Sequence, residues 1–156
     1  MQINWLILIL FIIGCNIIGA IGALWTSADS NWYNDLNKPS FNPPSWVFGP
    51  AWTLLFSLMG IALYFVFFSP SSQVRTIALI LFGVQFLLNI LWSYLFFGAH
   101  NPLFSLIEII FLLVLIILTS VYFFKVNSLS GFLMIPYILW VSFASFLNYS
   151  IWILNK

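Results

Sequence analysis

The chain has 156 residues, of which 63% are hydrophobic and only 4% are charged, whereas a soluble domain carries about 25% charged residues. Four Lys/Arg, three Asp/Glu and one His cannot build a water-facing surface, so lipid must cover most of this protein. The net charge of +1 and the scattered basic residues exclude a nucleic-acid-binding surface, which needs clustered Lys and Arg. The single cysteine excludes an intrachain disulfide, and the lack of a Cys/His set excludes a zinc or iron–sulfur site.

Five apolar segments are long enough to cross a bilayer, which takes about 20 mostly apolar residues. They predict helices at about residues 3–25, 46–68, 74–97, 102–124 and 131–154. The first segment begins without the basic residues that open a secretory signal, so we read it as a retained helix. The last three connections are short and make consecutive helices antiparallel neighbours. The sequence therefore predicts an all-α fold: residues 1–156 form a single domain, an integral membrane bundle of five transmembrane helices.

The connection at residues 26–45 differs from the others because it is long, polar and rich in proline. A connection of this length tends to be functional or disordered. Disorder is disfavoured here, since Trp32, Tyr33, Leu36 and Phe41 are able to anchor the segment to helix ends. We predict that it forms a lid over a ligand site, and an interfacial aromatic belt is the alternative interpretation.

The first predicted helix carries a stripe of small residues, with Cys15, Gly19 and Ala23 at four-residue spacing. Such a stripe permits close approach between membrane helices. We expect a packing face here, and its partner is either another helix of this chain or a second protomer. Cys15 is expected to be a small packing residue.

Three helices each present aromatic side chains beside small or polar ones on one face, at steps of three and four residues. These faces comprise Trp52, Phe56 and Gly60 in the second helix, Gln85, Asn89, Trp92, Ser93 and Phe96 in the third, and Tyr137, Trp140, Ala144 and Asn148 in the fifth. One interpretation is that the polar groups only form hydrogen bonds that hold the helices together. The other is that the faces line a pocket for a flat, mostly apolar ligand fixed by a few hydrogen bonds.

Glu108 is the one acid inside a predicted span, where a carboxylate near mid-helix costs roughly 2.5–3.5 kcal/mol. It is either a ligand or proton contact, or a protonated or hydrogen-bonded acid that holds helices together. The sequence contains no Ser-His-Asp set, no phosphate-binding glycine loop and no pair of carboxylates within one span. Any chemistry would have to use tryptophan, tyrosine or a bound cofactor.

Three motifs follow one another along the chain: Trp32-Tyr33-x-x-Leu36-x-Lys38-Pro39-x-x-x-Pro43-Pro44 with Phe48 and Trp52 after it, Asn89-x-x-Trp92-Ser93-x-x-Phe96-Phe97, and Pro136-Tyr137-x-x-Trp140-x-x-Phe143-Ala144-x-x-Leu147-Asn148. In this order they resemble the signature of the tryptophan-rich sensory protein and translocator protein family (TspO/MBR, the peripheral benzodiazepine receptor family). The resemblance covers nearly the whole chain.

This resemblance implies a multi-pass protein of a bacterial cell membrane, usually a homodimer, that acts as a receptor, sensor or transporter for porphyrins in a pocket under the first loop. It implies a porphyrin such as protoporphyrin IX as ligand and no required cofactor or metal. The residues that match the family's loop are Tyr33, Lys38, Pro39 and Pro44, and those that match its pocket are Trp52, Phe56, Asn89, Trp92, Ser93, Trp140 and Ala144. The inward faces add Glu108, Tyr137 and Asn148 as further candidate ligand-binding residues.

Two alternatives remain open, and one ligand class is in doubt. Trp52 and Trp140 match residues implicated in light-dependent porphyrin degradation by some bacterial members, so the chain is also a candidate enzyme. It is also a candidate structural or partner-regulating membrane protein. Sterol binding is doubtful, because Tyr149 is followed by a basic residue only at Lys156, slightly beyond the spacing of the cholesterol motif of vertebrate members.

Overall fold

A computed structural model describes residues 2–26 and 31–156 of the protein. Its helices are α1 (Trp5–Gly22), α2 (Asn31–Asp35), α3 (Phe48–Phe67), α4 (Gln73–Ser93), α5 (Pro102–Val126), α6 (Ser128–Leu133) and α7 (Ile135–Leu154). A 3₁₀ turn at Ser45–Val47 leads into α3, and a π-helical turn at Tyr94–Gly98 extends α4.

Five stretches are long and apolar enough to cross a membrane: Trp5–Gly22, Ser45–Phe67, Gln73–Gly98, Pro102–Val126 and Ser128–Leu154. The described residues contain no strand. The prediction of an all-α bundle of five transmembrane helices is confirmed.

Polar side chains in the connections start several of these helices. Asn4 Oδ1 accepts from the Ile7 amide at α1, and Ser72 Oγ accepts from the Arg75 amide at α4. Asn101 does the same for α5, where Pro102 occupies the first turn and has no N–H to satisfy. These caps fix where each span leaves the loop.

The fifth span begins earlier than predicted and is broken in two. Asn127 Oδ1 accepts from the Ser130 amide and starts α6 at Ser128, three residues before the predicted start at 131. The break follows at Met134, because Pro136 in the first turn of α7 cannot continue the hydrogen-bond ladder of α6.

Part of the small-residue stripe of α1 packs against α3 of this chain, whereas Ala23 at its end is exposed. A Cβ added at Gly60 of α3 would lie 2.7 Å from Ile12 Cα and 2.8 Å from the Phe11 carbonyl oxygen of α1. Backbone therefore meets backbone at Gly60, as glycine permits between membrane helices. Gly19 of α1 instead lies against a side chain, the ring of Phe56 on α3.

The connection between α1 and α3 is folded onto the ends of the other spans. Tyr33 is buried in a cluster with Phe96, Leu147 and Ile151. The Trp32 ring stacks on His100 at a centroid distance of 4.4 Å, and Phe41 stacks on Phe146 of α7 at 5.2 Å. The loop aromatics therefore pack against residues of the later spans and their connections. Residues 27–30 of the predicted lid lie outside the described residues.

Candidate functional site

A cavity of about 370 Å³ lies beneath α2, between α1, α3, α4 and α7. Its volume falls within the ~300–1,000 Å³ range of small-molecule pockets. The described lining residues are predominantly aromatic or small, and none of them is charged. They are Asn16, Gly19, Ala20, Gly22, Ala23, Thr26, Tyr33, Ser45, Phe48, Gly49, Trp52, Thr53, Phe56, Asn89, Trp92, Ser93, Phe96, Phe97, Trp140, Ala144, Leu147, Asn148 and Ile151.

Two indoles form the aromatic side of the cavity. The rings of Trp52 and Trp140 meet edge to face, with centroids 6.4 Å apart and planes at 81°. Trp52 also stacks on Phe56 at 5.3 Å, and Phe48 packs against Trp140 at 6.0 Å. Neither indole N–H has a hydrogen-bond acceptor among the described residues, and both residues line the cavity. The two indoles are therefore candidate donors to a ligand.

The deeper wall is held by a hydrogen-bonded chain between α4 and α7. Asn89 Nδ2 donates to the Tyr137 hydroxyl at 3.0 Å, and that hydroxyl donates to Gln85 Oε1 at 3.1 Å. Tyr137 and Gln85 are fully buried. Tyr137 itself is not part of the cavity wall, but its ring packs edge-on against Trp52 at 6.3 Å. This series of hydrogen bonds thus fixes the side-chain amide of Asn89, which lines the cavity, from the side away from the cavity.

A second amide fixes three spans together. Trp92 Nε1 on α4 donates to Asn148 Oδ1 on α7 at 3.0 Å, and Asn148 Nδ2 donates to the Pro102 carbonyl oxygen at 2.9 Å. Both partners of the Trp92 bond line the cavity. The polar groups on these faces therefore hold helices together and shape the cavity at the same time.

Small residues of α1 form the opposite wall. A Cβ at Gly22 would lie 3.0 Å from Ser93 Oγ, so a larger residue would fill this side. Ala20 and Ala23 on α1, and Gly49 and Thr53 on α3, line the cavity and are themselves exposed. The cavity therefore opens sideways between α1 and the start of α3.

Tyr33 forms the roof, and Lys38 holds it in place without entering the cavity. Lys38 Nζ donates to the carbonyl oxygens of Asn34 and Leu36 at 3.1 and 3.3 Å, and lies 4.6 Å from the centroid of the Tyr33 ring. Burial raises the pKa of Tyr33, and the bond from its hydroxyl to Asn42 Oδ1 acts in the opposite direction. Tyr33 is therefore neutral under ordinary conditions.

The structure brings nine of the fourteen candidate ligand-binding residues to the cavity wall: Tyr33, Trp52, Phe56, Asn89, Trp92, Ser93, Trp140, Ala144 and Asn148. The loop residues Lys38, Pro39 and Pro44 lie outside the wall, as do Glu108 and Tyr137 behind it. Sequence reasoning did not select the α1 wall, nor Phe48, Leu147 and Ile151. Among the described residues, no group of three or more His, Cys, Asp or Glu could hold a metal ion.

Comparison with known proteins places this architecture in a family. The sequence profile of the TspO/MBR family matches residues 11–153. The Tryptophan-rich protein TspO of Archaeoglobus fulgidus is 44% identical over 156 residues, covering 97% of this chain and 99% of that protein. The protein of the same name from Chlorobaculum tepidum is 42% identical over 144 residues, covering 90% of each.

The likeness extends to animals, since the Translocator protein of Homo sapiens is 35% identical over 123 residues, covering 78% of this chain and 73% of that protein. The three motifs, the five spans and these relatives agree, and the chain belongs to the TspO/MBR family of multi-pass integral membrane proteins.

Proposed function

We propose that this protein is a membrane receptor, sensor or transporter that binds porphyrins, and other flat apolar ligands, in the cavity beneath α2. The observation that carries the proposal is the aromatic wall with two unused indole donors, Trp52 and Trp140. A planar macrocycle packs well against rings, and a few placed polar groups suffice to orient it. The name of the human relative, Translocator protein, favours a transport role for the family fold.

The uncharged wall determines how such a ligand would sit. A porphyrin carries ionisable carboxylates on its rim, and burying them without a cation would be costly. The side opening at Ala20, Ala23 and Thr53 lets the rim remain near water or lipid headgroups while the macrocycle packs inside. A porphyrin larger than the cavity can thus be held by its apolar part.

Tryptophan fluorescence provides the test. Protoporphyrin IX is titrated into the purified protein in lipid nanodiscs, and quenching reports its affinity. Removing a central ring typically costs about 2 kcal/mol of binding or more, or roughly 30-fold in Kd. We expect such a loss for Trp140→Ala and a smaller loss for Asn89→Ala.

The matched control is Trp46→Phe, since Trp46 is 75% exposed and lies outside the cavity wall. Its affinity should equal that of the unmodified protein. Unchanged affinity in both cavity variants, or no saturable quenching at all, would reject the proposed site.

Light-dependent degradation of the bound porphyrin by dioxygen is a second candidate, favoured by the two indoles that meet in the wall. It predicts loss of porphyrin absorbance under light that depends on both rings. Equal bleaching by the Trp52→Phe variant, or in the absence of protein, would remove this candidate and leave binding untouched.

A further inference from the structure

Four buried polar side-chain atoms have no hydrogen-bond partner among the described residues. One is Nε of Arg75 near the start of α4, and the other three lie farther from the helix ends: the two carboxyl oxygens of Glu108 on α5 and Nε2 of Gln85 on α4. Glu108 is 8% exposed and Gln85 is 0% exposed. Buried polar groups are nearly always hydrogen-bonded, so each exception calls for an explanation such as an internal water or a proton.

Tyr137 links the two helices that carry these residues. Its hydroxyl donates to Gln85 Oε1 on α4 at 3.1 Å, and Tyr137 lies buried on α7, which packs against α5. The same hydroxyl accepts from Asn89 Nδ2, and Asn89 lines the cavity. A polar path thus leads from the cavity wall through Tyr137 toward the unpartnered groups.

The surrounding helices supply no basic side chain to neutralise a carboxylate there. Arg75, at the far end of α4, donates to the carbonyl oxygens of Phe67 and Ser69. Lys125 is seventeen residues along α5 from Glu108, or roughly 25 Å at 1.5 Å per residue. The remaining titratable side chains on the elements packed against α5 are Tyr64 on α3, Tyr94 in the π-helical turn and Tyr149 on α7. None of them is a base.

We propose that Glu108 is a proton-binding site within the membrane, coupled to the cavity through Tyr137 and Asn89. The protonated acid is neutral, which removes the cost of an isolated charge in the membrane interior. It gains one O–H donor and keeps acceptor capacity for a donor such as the Gln85 amide. Any ligand that changes the hydrogen bonding of Asn89 would then change the proton affinity of Glu108. The site does not depend on which ligand the cavity binds.

Infrared spectroscopy of the ligand-free protein in lipid bilayers tests the proton. A protonated carboxylic acid has a C=O stretch distinct from that of a carboxylate or an amide. Besides Glu108 the chain contains only Asp29 and Asp35, both in the loop between the first two spans, as acidic side chains. We expect the acid band at neutral pH in the unmodified protein and in Glu108→Asp, and its loss in Glu108→Gln. A spectrum without the acid band, or with the band unchanged in Glu108→Gln, would overturn the proposal.

The same band tests the coupling without any ligand. Asn89→Ala and Tyr137→Phe each remove a member of the path, so both should shift the band. The matched control is Ser120→Ala, which changes another buried polar residue of α5 whose hydroxyl donates only to the Ile116 carbonyl oxygen. A band that stays in place in both path variants would refute the coupling. Since no porphyrin is present, this result is separate from the fate of the proposed function.

Discussion

Gly60 provides a direct test of how the first two spans pack. The substitution Gly60→Ala adds a Cβ that would lie 2.7 Å from Ile12 Cα, 2.8 Å from Phe11 O and 3.0 Å from Ile12 N. All three atoms belong to the backbone of α1, which cannot rotate away as a side chain would. Non-bonded carbon atoms prefer about 3.5–4.0 Å, so α1 must move outward by roughly 1 Å.

A matched substitution isolates the cost of that movement. Gly83 lies in the interior of α4, and a Cβ there meets no atom within 4 Å. Both substitutions gain the same helix preference of alanine over glycine, about 0.8–1.0 kcal/mol. Only Gly60→Ala adds the overpacking cost of about 1–3 kcal/mol. The free energy of unfolding of Gly60→Ala should therefore lie about 1–3 kcal/mol below that of Gly83→Ala.

Thermal unfolding in one detergent, followed by tryptophan fluorescence, measures the difference. For a chain of this size each kcal/mol corresponds to about 2–4 °C in Tm. We expect Gly83→Ala to melt at or above the temperature of the unmodified protein and Gly60→Ala to melt several degrees below Gly83→Ala. If the two variants melt together, then α1 and α3 do not meet backbone to backbone at Gly60.

Three further predictions concern the cavity and its roof. Ala144→Phe should fill the cavity and weaken protoporphyrin binding about tenfold or more, which corresponds to ~1.4 kcal/mol. Ser142 is exposed on the same helix, so Ser142→Phe should leave Kd unchanged. A larger loss of affinity in Ser142→Phe than in Ala144→Phe would contradict binding in the cavity. Asn155→Ala removes two hydrogen bonds of 2.9 Å, from the Asn37 amide to Asn155 Oδ1 and from Asn155 Nδ2 to the Asn37 carbonyl oxygen. Hydrogen exchange should then accelerate in the loop that contains α2 but not in α5. If the loop amides of the variant and of the unmodified protein were equally protected, the two bonds would not hold the loop. Burial raises the pKa of Tyr33, so its hydroxyl ionises at lower pH in the undocked loop than in the docked one. Docking should be at full strength below the ordinary pKa of about 10 and weaken as pH rises above it, so the protection of the loop amides relative to intrinsic exchange should fall there, and Tyr33→Phe should not show this fall.

The five spans were predictable because lipid imposes both their length and their apolar character. The ends of the spans were less predictable, since hydropathy does not distinguish a helix from a hydrogen-bonded turn. The first helix was predicted to reach Trp25 but ends at Gly22, and Trp25 N still donates to the Gly22 carbonyl oxygen at 3.3 Å. At the other end of the chain, the predicted connection at residues 125–130 is mostly helical, because α5 continues to Val126 and α6 begins at Ser128, capped by Asn127.

The aromatic side of the cavity was visible in the sequence, whereas the α1 side was not. Rings and amides at helical spacing stand out in an apolar chain because a polar face toward lipid is costly. Gly22, Ala20 and Ala23 contribute space rather than contacts, and a stripe of small residues predicts helix packing equally well. Gly19 does pack, against Phe56, while Ala20 and Ala23 one turn of the helix apart line the opening. Only the arrangement of the helices shows which small residues of α1 pack against another helix and which leave space for the cavity.

The two charged side chains singled out by the sequence, Lys38 and Glu108, show why position in a motif does not specify a role. The charge or the polar atoms of each side chain need a partner, and the fold decides which atoms lie close enough to be that partner. Lys38 finds two carbonyl oxygens of its own loop and the Tyr33 ring, so it acts on the cavity by holding the residue that covers it. Glu108 finds no hydrogen-bond partner among the described residues, so the same need is met most cheaply by keeping a proton. A lysine that matches a binding motif thus serves the shape of the roof, and an acid outside every motif is the group for which we propose a response to what the cavity contains.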